Sequence, residues 1–144
     1  MFVKSVQKYI DFCNTTEGVD VEFLEGTTAS GKTTVGAGVK FMRMVSKSTK
    51  KSHIIASKTT GTAEKNILQQ QNGLLDIHRS AKYYGNGNKD NKLPHIVWED
   101  KIIYVLGYDT KEKWQNVLGG QYGCVLIDEI NTANIEFVRE IITR

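Results

Sequence analysis

The stretch FLEGTTASGKTTV, residues 23–35, decides how the rest of the sequence is interpreted. Within it, GTTASGKT runs from Gly26 to Thr33, and its second glycine is followed directly by a lysine and a threonine. This spacing matches the pattern G-x-x-x-x-G-K-[ST]. Small residues in such a loop let the backbone curl, so that successive N–H groups point inward around a phosphate chain. The stretch therefore predicts a phosphate-binding loop between a strand and a helix.

The loop residues have distinct predicted roles in binding a nucleoside triphosphate. The helix that begins at Gly31–Lys32 adds its positive N-terminal end to the loop amides. Lys32 can reach the β- and γ-phosphates and assist catalysis as a mobile point charge, and the Thr33 hydroxyl can ligate Mg2+. The alternative is a flexible glycine turn with an exposed lysine. The predicted nucleotide-binding residues are Gly26, Thr27, Thr28, Ala29, Ser30, Gly31, Lys32, Thr33 and Thr34.

A second motif is the apolar run CVLIDE at 124–129, which ends in two acids. Mg2+ bound with a nucleotide needs another anchor, usually a carboxylate at the end of a buried strand. We expect Asp128 to hold the ion, directly or through a water, and Glu129 to polarise the water that attacks the γ-phosphate of ATP. The tandem acid favours an additional-strand ATPase over a simple nucleotide kinase. By itself, the run is also compatible with a solvated strand end.

Alternating strand and helix patterns predict an α/β fold with a mainly parallel sheet flanked by helices, because the central apolar runs are continuous. A basic loop with Lys47, Lys50 and Lys51 is a weak candidate for DNA contact, and residues 79–93 are interpreted as an exposed loop. The predicted strands are 19–25, 53–57, 95–98, 102–108 and 124–129; the predicted helices are 3–13, one from the loop to about 46, one capped by Thr60 or Thr62, and one capped by Asn131 or Thr132.

The length of 144 residues and the amino-acid composition are those of one ordinary domain, and the net charge is +3. This charge tolerates an anionic partner without requiring one. Cys13 and Cys124 have no metal-ligand spacing. No apolar run approaches the roughly 18 residues that a membrane span needs, and the amino terminus lacks a signal-peptide pattern. We therefore expect a cytoplasmic protein without a membrane partner.

With both motifs placed, the sequence resembles the ATPase domain of phage terminase large subunits, the motors that package viral DNA. The resemblance covers residues 20–144. It includes HIIASKTTGTAEKNIL at 53–68, similar to the strand and helix that follow the loop in these motors. The most specific part is KIIYVLGYDTKEKWQNVLGGQYGCVLIDEIN at 101–131: a strand ending in glycine, a polar segment near a lysine, then a glycine pair before the acidic strand.

The resemblance implies a P-loop NTPase fold with Walker A at 26–33 and Walker B at 124–129. It implies ATP and Mg2+ as ligands and ATP hydrolysis that drives double-stranded DNA into a procapsid. Portal protein and the small terminase subunit are implied partners, in a homo-oligomeric motor in the host cytoplasm. Other interpretations stay open: a helicase-like or repair ATPase of the same fold, or a non-catalytic nucleotide-binding module.

The sequence also departs from the family pattern. Many terminases carry an arginine in the phosphate loop, whereas Thr27–Ala29 contains no basic residue. A charge for the transition state must then come from elsewhere, for example Arg139, Arg144 or a neighbouring subunit. Residues 1–144 are expected to form a single P-loop ATPase domain at the front of a larger protein. The coupling motif and nuclease domain are missing, so we expect the sheet to be incomplete at its C-terminal end.

Overall fold

The structure is a computed structural model that describes residues 10–14, 21–25 and 31–143. Residues 10–14 are helical, and a continuous helix begins at Lys32. The strands are β1 (Ser52–Ser57), β2 (Lys82–Tyr84), β3 (His95–Trp98), β4 (Lys101–Gly107) and β5 (Val125–Ile127). The helices are α1 (π-helical Thr34–Phe41, then α-helical Met42–Lys47), α2 (Thr60–Ala63, continued by π-helical Glu64–Leu68), α3 (Leu74–Ile77), α4 (Lys111–Gln115) and α5 (Ile135–Ile142), with a 3-10 turn at Ile130–Thr132.

The five strands form one mixed sheet in the order β2-β3-β4-β1-β5. Strand β1 pairs in parallel with β4 on one side and with β5 on the other, so Ile54 is opposite both Tyr104 and Val125. Strands β2 and β3 extend the sheet beyond β4 in antiparallel pairs. The α/β prediction is confirmed, with the difference that the parallel part comprises β4, β1 and β5. The carboxyl ends of these three strands lie along one edge.

The sheet divides the apolar core into two layers because successive strand residues point to opposite faces. On one face, Ile55 belongs to a cluster with helices α1 and α2; its fully buried members include Met42, Val45, Leu68 and Ile103. On the other face, Ile54 packs with helices α4 and α5, where Trp114 and Phe137 are buried. Each such side chain contributes about 1.5–3 kcal/mol when fully buried. Both tryptophans are buried, Trp98 on the first face and Trp114 on the second.

A buried polar cluster connects the amino ends of the central strands. Lys101 Nζ donates hydrogen bonds to the carbonyls of Ser48 (2.5 Å) and Lys50 (3.0 Å). The fully buried His53 accepts the Cys124 N–H at Nδ1 (3.0 Å), and its Nε2 lies 3.0 Å from the Lys50 carbonyl. The neutral tautomer with hydrogen on Nε2 satisfies both contacts. Burial lowers the pKa of His53, which favours this neutral form.

The predicted strand at 19–25 is wrong over its described part. Residues 21–25 have no place in the sheet, and all five are exposed, Phe23 at 68%. Glu22 instead forms an ion pair with the buried Lys40 of α1. The alternation of apolar and acidic residues therefore does not report a sheet pairing here. Residues 19 and 20 lie outside the described residues.

Strand β2 lies inside the segment 79–93 that the sequence indicated as an exposed loop, and this prediction is wrong for Lys82–Tyr84. The strand pairs with β3 and is supported by side-chain contacts, and its sequence has no apolar pattern. The Tyr83 hydroxyl donates to Glu64 Oε1 (2.6 Å), and the Tyr84 ring stacks on His95 with centroids 5.3 Å apart. A three-residue edge strand supported in this way has no periodic signal.

Two predicted helix caps are also corrected. The N-cap of α2 is Thr59, whose hydroxyl accepts the Thr62 N–H at 3.0 Å. The N-cap of α5 is Asn134, whose side-chain oxygen accepts the Glu136 N–H at 2.8 Å. This helix begins later than predicted because the 3-10 turn occupies Ile130–Thr132. Within the described parts of the chain, no helix has the length and apolar character required to cross a membrane.

Candidate functional site

Polar side chains converge where the parallel strands end. Ser57 is the last residue of β1, and Tyr108 directly follows β4. Asp128 and Glu129 directly follow β5. The Asp128 N–H donates to the Ala56 carbonyl (2.9 Å), which extends the β1–β5 pairing up to the first acid. This is the edge at which open parallel sheets bind ligands.

The start of the first long helix faces the same place. Lys32, Thr33, Asp128 and Glu129 all line one cavity of about 1100 Å3. Lys32 is close enough to Asp128 for its charge to lower the pKa of that carboxyl. Lys32 and Asp128 therefore lie on the same cavity, at the carboxyl edge of the parallel strands.

Asp128 is partly buried, and two causes raise the pKa of its carboxyl. Burial is the larger and the neighbouring Glu129 charge is the second; the Ser57 hydrogen bond and the Lys32 charge oppose them. The Ser57 hydroxyl donates to Asp128 Oδ2 at 3.3 Å. The carboxylate is therefore held in place by neighbours that leave its negative charge only partly compensated. A nearby cation would stabilise the charged form of such a carboxyl group.

The turn that carries Glu129 has an uncommon backbone. Glu129 has φ 53° and ψ 45°, in the left-handed region, and its side chain is exposed. The Tyr108 hydroxyl contacts the backbone carbonyls of both Asp128 and Glu129. Sequence reasoning missed Tyr108, although an aromatic residue with a polar tip at the end of an apolar strand is a usable signal.

The remaining loop residues are only partly described. Gly26, Thr27, Thr28, Ala29 and Ser30 lie outside the described residues. Gly31 has φ 81°, a left-handed conformation that favours glycine. Lys32 and Thr33 are helical, and Thr34 is the first residue of α1. The prediction that a helix begins at Gly31–Lys32 is confirmed.

The residues at this edge fit a Mg2+ ion that enters with a nucleotide. The Asp128 carboxylate and the Thr33 hydroxyl are oxygen donors of the kind that Mg2+ prefers, and both line the cavity. Across residues 10–14, 21–25 and 31–143, no group of three or more His, Cys, Asp or Glu side chains could hold a metal by itself. The other ligands would be phosphate and water oxygens. The ion would supply positive charge beside the phosphates.

The candidate DNA-contacting lysines lie elsewhere. Lys47 at the end of α1 and Lys50 and Lys51 before β1 are exposed near the amino end of β1, whereas the site is at the carboxyl end. Lys50 Nζ bonds Gln121 Oε1 at 2.9 Å. Arg139 is exposed on α5 and is not among the described residues that line the cavity, and Arg144 lies outside the described part.

Comparisons by sequence find no matching family model and no matching curated protein. Solved structures do match. A structure of the large terminase from a thermophilic bacteriophage aligns with a TM-score of 0.70 and 18% identity, over 100% of this chain and 36% of that one. The same terminase in complex with ADP aligns with a TM-score of 0.66 and 19% identity, over 99% of this chain and 36% of that one.

The complex of that terminase with ATP-γ-S aligns with a TM-score of 0.61 and 16% identity, over 99% of this chain and 34% of that one. The chain therefore spans about a third of the length of the solved structures that it matches. At these identities the likeness establishes a terminase-like α/β fold.

Proposed function

We propose that this chain is the ATP-binding and ATP-hydrolysing part of a terminase large subunit, which powers the packaging of double-stranded viral DNA into a procapsid. One observation carries the proposal: Lys32 and Thr33 at a helix start face Asp128 and Glu129 at a strand end across one cavity. The similar large terminase of the thermophilic bacteriophage has been solved with ADP and with ATP-γ-S, which supports nucleotide as the ligand.

In this proposal the backbone amides of Gly26 to Gly31 hold the phosphates, and Lys32 places its charge on the β- and γ-phosphates. Thr33 and Asp128 hold the Mg2+ ion that accompanies ATP. Glu129 accepts a proton from the water that attacks the γ-phosphorus. These are hydrolase roles for Walker A and Walker B residues.

The wider role is a proposal that the terminase-like fold supports. We propose that residues 1–144 contribute a single ATPase domain and that the motor works as a homo-oligomer in the host cytoplasm. Its proposed partners are double-stranded DNA, the portal protein and the small terminase subunit. A charge for the transition state would come from Arg144 or from another subunit, because Arg139 is not among the described residues that line the cavity.

Thermal unfolding with and without nucleotide tests the binding part. ATP with Mg2+ at a hundredfold excess over its dissociation constant should stabilise the protein by about 2.7 kcal/mol. Lys32→Ala should lose this stabilisation, whereas Lys51→Ala, an exposed lysine at the opposite end of β1, should retain it. Equal stabilisation of both variants would remove Lys32 from the site.

Phosphate release tests the hydrolysis part. Glu129→Gln should bind ATP with near-normal affinity and release phosphate at least a hundredfold more slowly, the range usual for loss of a general base. Normal turnover by this variant would contradict the role of Glu129. Binding by the wild-type chain without any phosphate release would instead support a non-catalytic nucleotide-binding module.

A further inference from the structure

We propose that Tyr108 is a positioning residue of this site: its phenol hydroxyl holds the backbone turn that aims Glu129 at the reacting water. This inference rests on the proposed ATPase function. It concerns a residue that lies outside both predicted nucleotide-binding motifs and that follows a different strand from the two acids.

The first argument is the set of contacts that the hydroxyl makes. Tyr108 Oη lies 3.0 Å from the Asp128 carbonyl oxygen, 2.9 Å from the Glu129 carbonyl oxygen and 2.8 Å from Thr132 Oγ1. Thr132 Oγ1 is in turn 2.9 Å from the Glu129 carbonyl, which also accepts the Thr132 N–H. One phenol therefore contacts the peptide groups of both acids and the residue that closes the turn.

Two hydroxyl hydrogens serve these contacts, one from Tyr108 and one from Thr132. Either Thr132 donates to Tyr108 and the phenol hydrogen is shared by the two carbonyls, or Tyr108 donates to Thr132 and Thr132 donates to Glu129. In both arrangements a hydroxyl hydrogen reaches the Glu129 carbonyl. Tyr108 and Thr132 thus act as one unit on this peptide group.

The second argument is that the turn needs support. Glu129 is a non-glycine residue in the left-handed region, which persists only where surrounding structure imposes it. If the φ and ψ angles of Glu129 changed to the right-handed region, the flanking peptide groups would rotate and the Glu129 side chain would point in another direction. The hydroxyl hydrogen bond to the Glu129 carbonyl, present in both arrangements, opposes that rotation.

The third argument is that Tyr108 is itself buried and held by contacts on several sides. Its side chain is 3% exposed, its ring lies 5.5 Å from that of Phe137, and its backbone N–H donates to the Ser57 carbonyl at 2.9 Å. Through this residue the ends of β4, β1 and β5 are tied together.

The test is Tyr108→Phe, which removes the hydroxyl and keeps the ring against Phe137. The matched control is Tyr104→Phe, the same change on the same strand, where the hydroxyl accepts from Asn91 Nδ2 at 3.0 Å, away from the acids. In ATP hydrolysis by the purified chain, kcat of Tyr108→Phe should fall about tenfold, because the general base is displaced. KM and the dissociation constant for ATP should change less than twofold, and the control should match wild type.

Thr132→Val provides a second variant on the exposed side of the turn, in case Tyr108→Phe fails to fold. It should lower kcat in the same selective way, and combining the two changes should cost less than the product of the single effects. If kcat stays within twofold of wild type in Thr132→Val and in folded Tyr108→Phe, or if kcat and ATP affinity fall together, the positioning role is overturned. A wild-type chain that releases no phosphate would overturn the ATPase function and this role with it.

Discussion

Glu129 combines a left-handed backbone with a proposed role in chemistry. A non-glycine residue in this region costs about 1 kcal/mol relative to glycine. The structure bears this cost at a position that lines the cavity, where the proposed mechanism needs a carboxylate. At the residue scale, stability and the proposed activity therefore oppose each other at Glu129.

This opposition can be measured by replacing Glu129 with glycine and with alanine. Both variants remove the charge beside Asp128, but only glycine relieves the backbone. Glu129→Gly should exceed Glu129→Ala in free energy of unfolding by about 1 kcal/mol in chemical denaturation. Neither variant should hydrolyse ATP. Equal stabilities of the two would mean that the left-handed turn is not strained.

Asp128 predicts a pH dependence of stability. Because its pKa is raised in the folded state above the ordinary 3.8, the folded protein binds more protons than the unfolded chain between these two values. The contribution of Asp128 to stability is then full below pH 3.8 and is lost as pH rises to the folded-state pKa.

Asp128→Asn removes this dependence. Its stability relative to wild type should therefore increase as pH rises through that window and stay constant above it, in denaturation curves recorded without nucleotide or metal. Asp100→Asn, on the exposed turn between β3 and β4, controls for the loss of a carboxylate elsewhere. A stability difference that decreases with rising pH would contradict the environment described for Asp128.

At the scale of elements, the start of α2 lies close to the end of β4, beside the site. A Cβ added at Gly107 would lie 2.8 Å from the Thr59 Cα and 3.1 Å from the Thr60 nitrogen. These are backbone atoms of the helix start, which cannot move away as a side-chain tip can. Gly107 therefore allows α2 to begin directly against the end of β4, one residue before Tyr108.

Gly107→Ala should lower the free energy of unfolding by about 1–3 kcal/mol, as overpacking does. Gly61→Ala is the matched control, because its added Cβ meets only the Thr59 hydroxyl at 3.8 Å. On an exposed helical position it should stabilise by about 0.5–1 kcal/mol. Thermal unfolding of both variants distinguishes these opposite signs. A neutral Gly107→Ala would show that α2 is free to shift.

At the scale of the whole molecule, part of the cavity beside β5 is lined by the apolar residues Phe23, Val125 and Ile142, and this part is called the apolar groove. Among the described residues, β5 has a ladder partner only on its β1 side. Val125 is 36%, Phe23 68% and Ile142 65% exposed, and all three line the groove. These three side chains present apolar surface to solvent.

The groove should therefore bind a fluorescent probe of exposed apolar surface, such as ANS, in the folded state. Ile142→Ser should lower the fluorescence. Ile135→Ser is the control on the same helix, since Ile135 is 61% exposed but is not among the residues that line the groove. Equal effects of the two variants would show that the probe does not distinguish the groove from the rest of α5.

The elements that were predictable are those with long apolar runs or a strict motif. Strands β1, β3 and β4 match their predicted bounds to within one residue, and the helix start at Lys32 follows the second glycine of the loop. The predicted secondary structure was wrong for short segments whose conformation depends on contacts with residues far away in the sequence. Strand β2 depends on Glu64 and His95, and residues 21–25 lack a pairing that their alternation predicts.

The sequence by itself determined the α/β class, the predicted residues of a phosphate loop and the pair of acids after an apolar strand, because spacing and periodicity are local properties of the chain. Only the tertiary structure decided that the lysine and the acids line one cavity, and that a tyrosine at the end of another strand contacts the acidic turn. Such relations depend on which strands become neighbours, and that outcome is set by packing across the sheet.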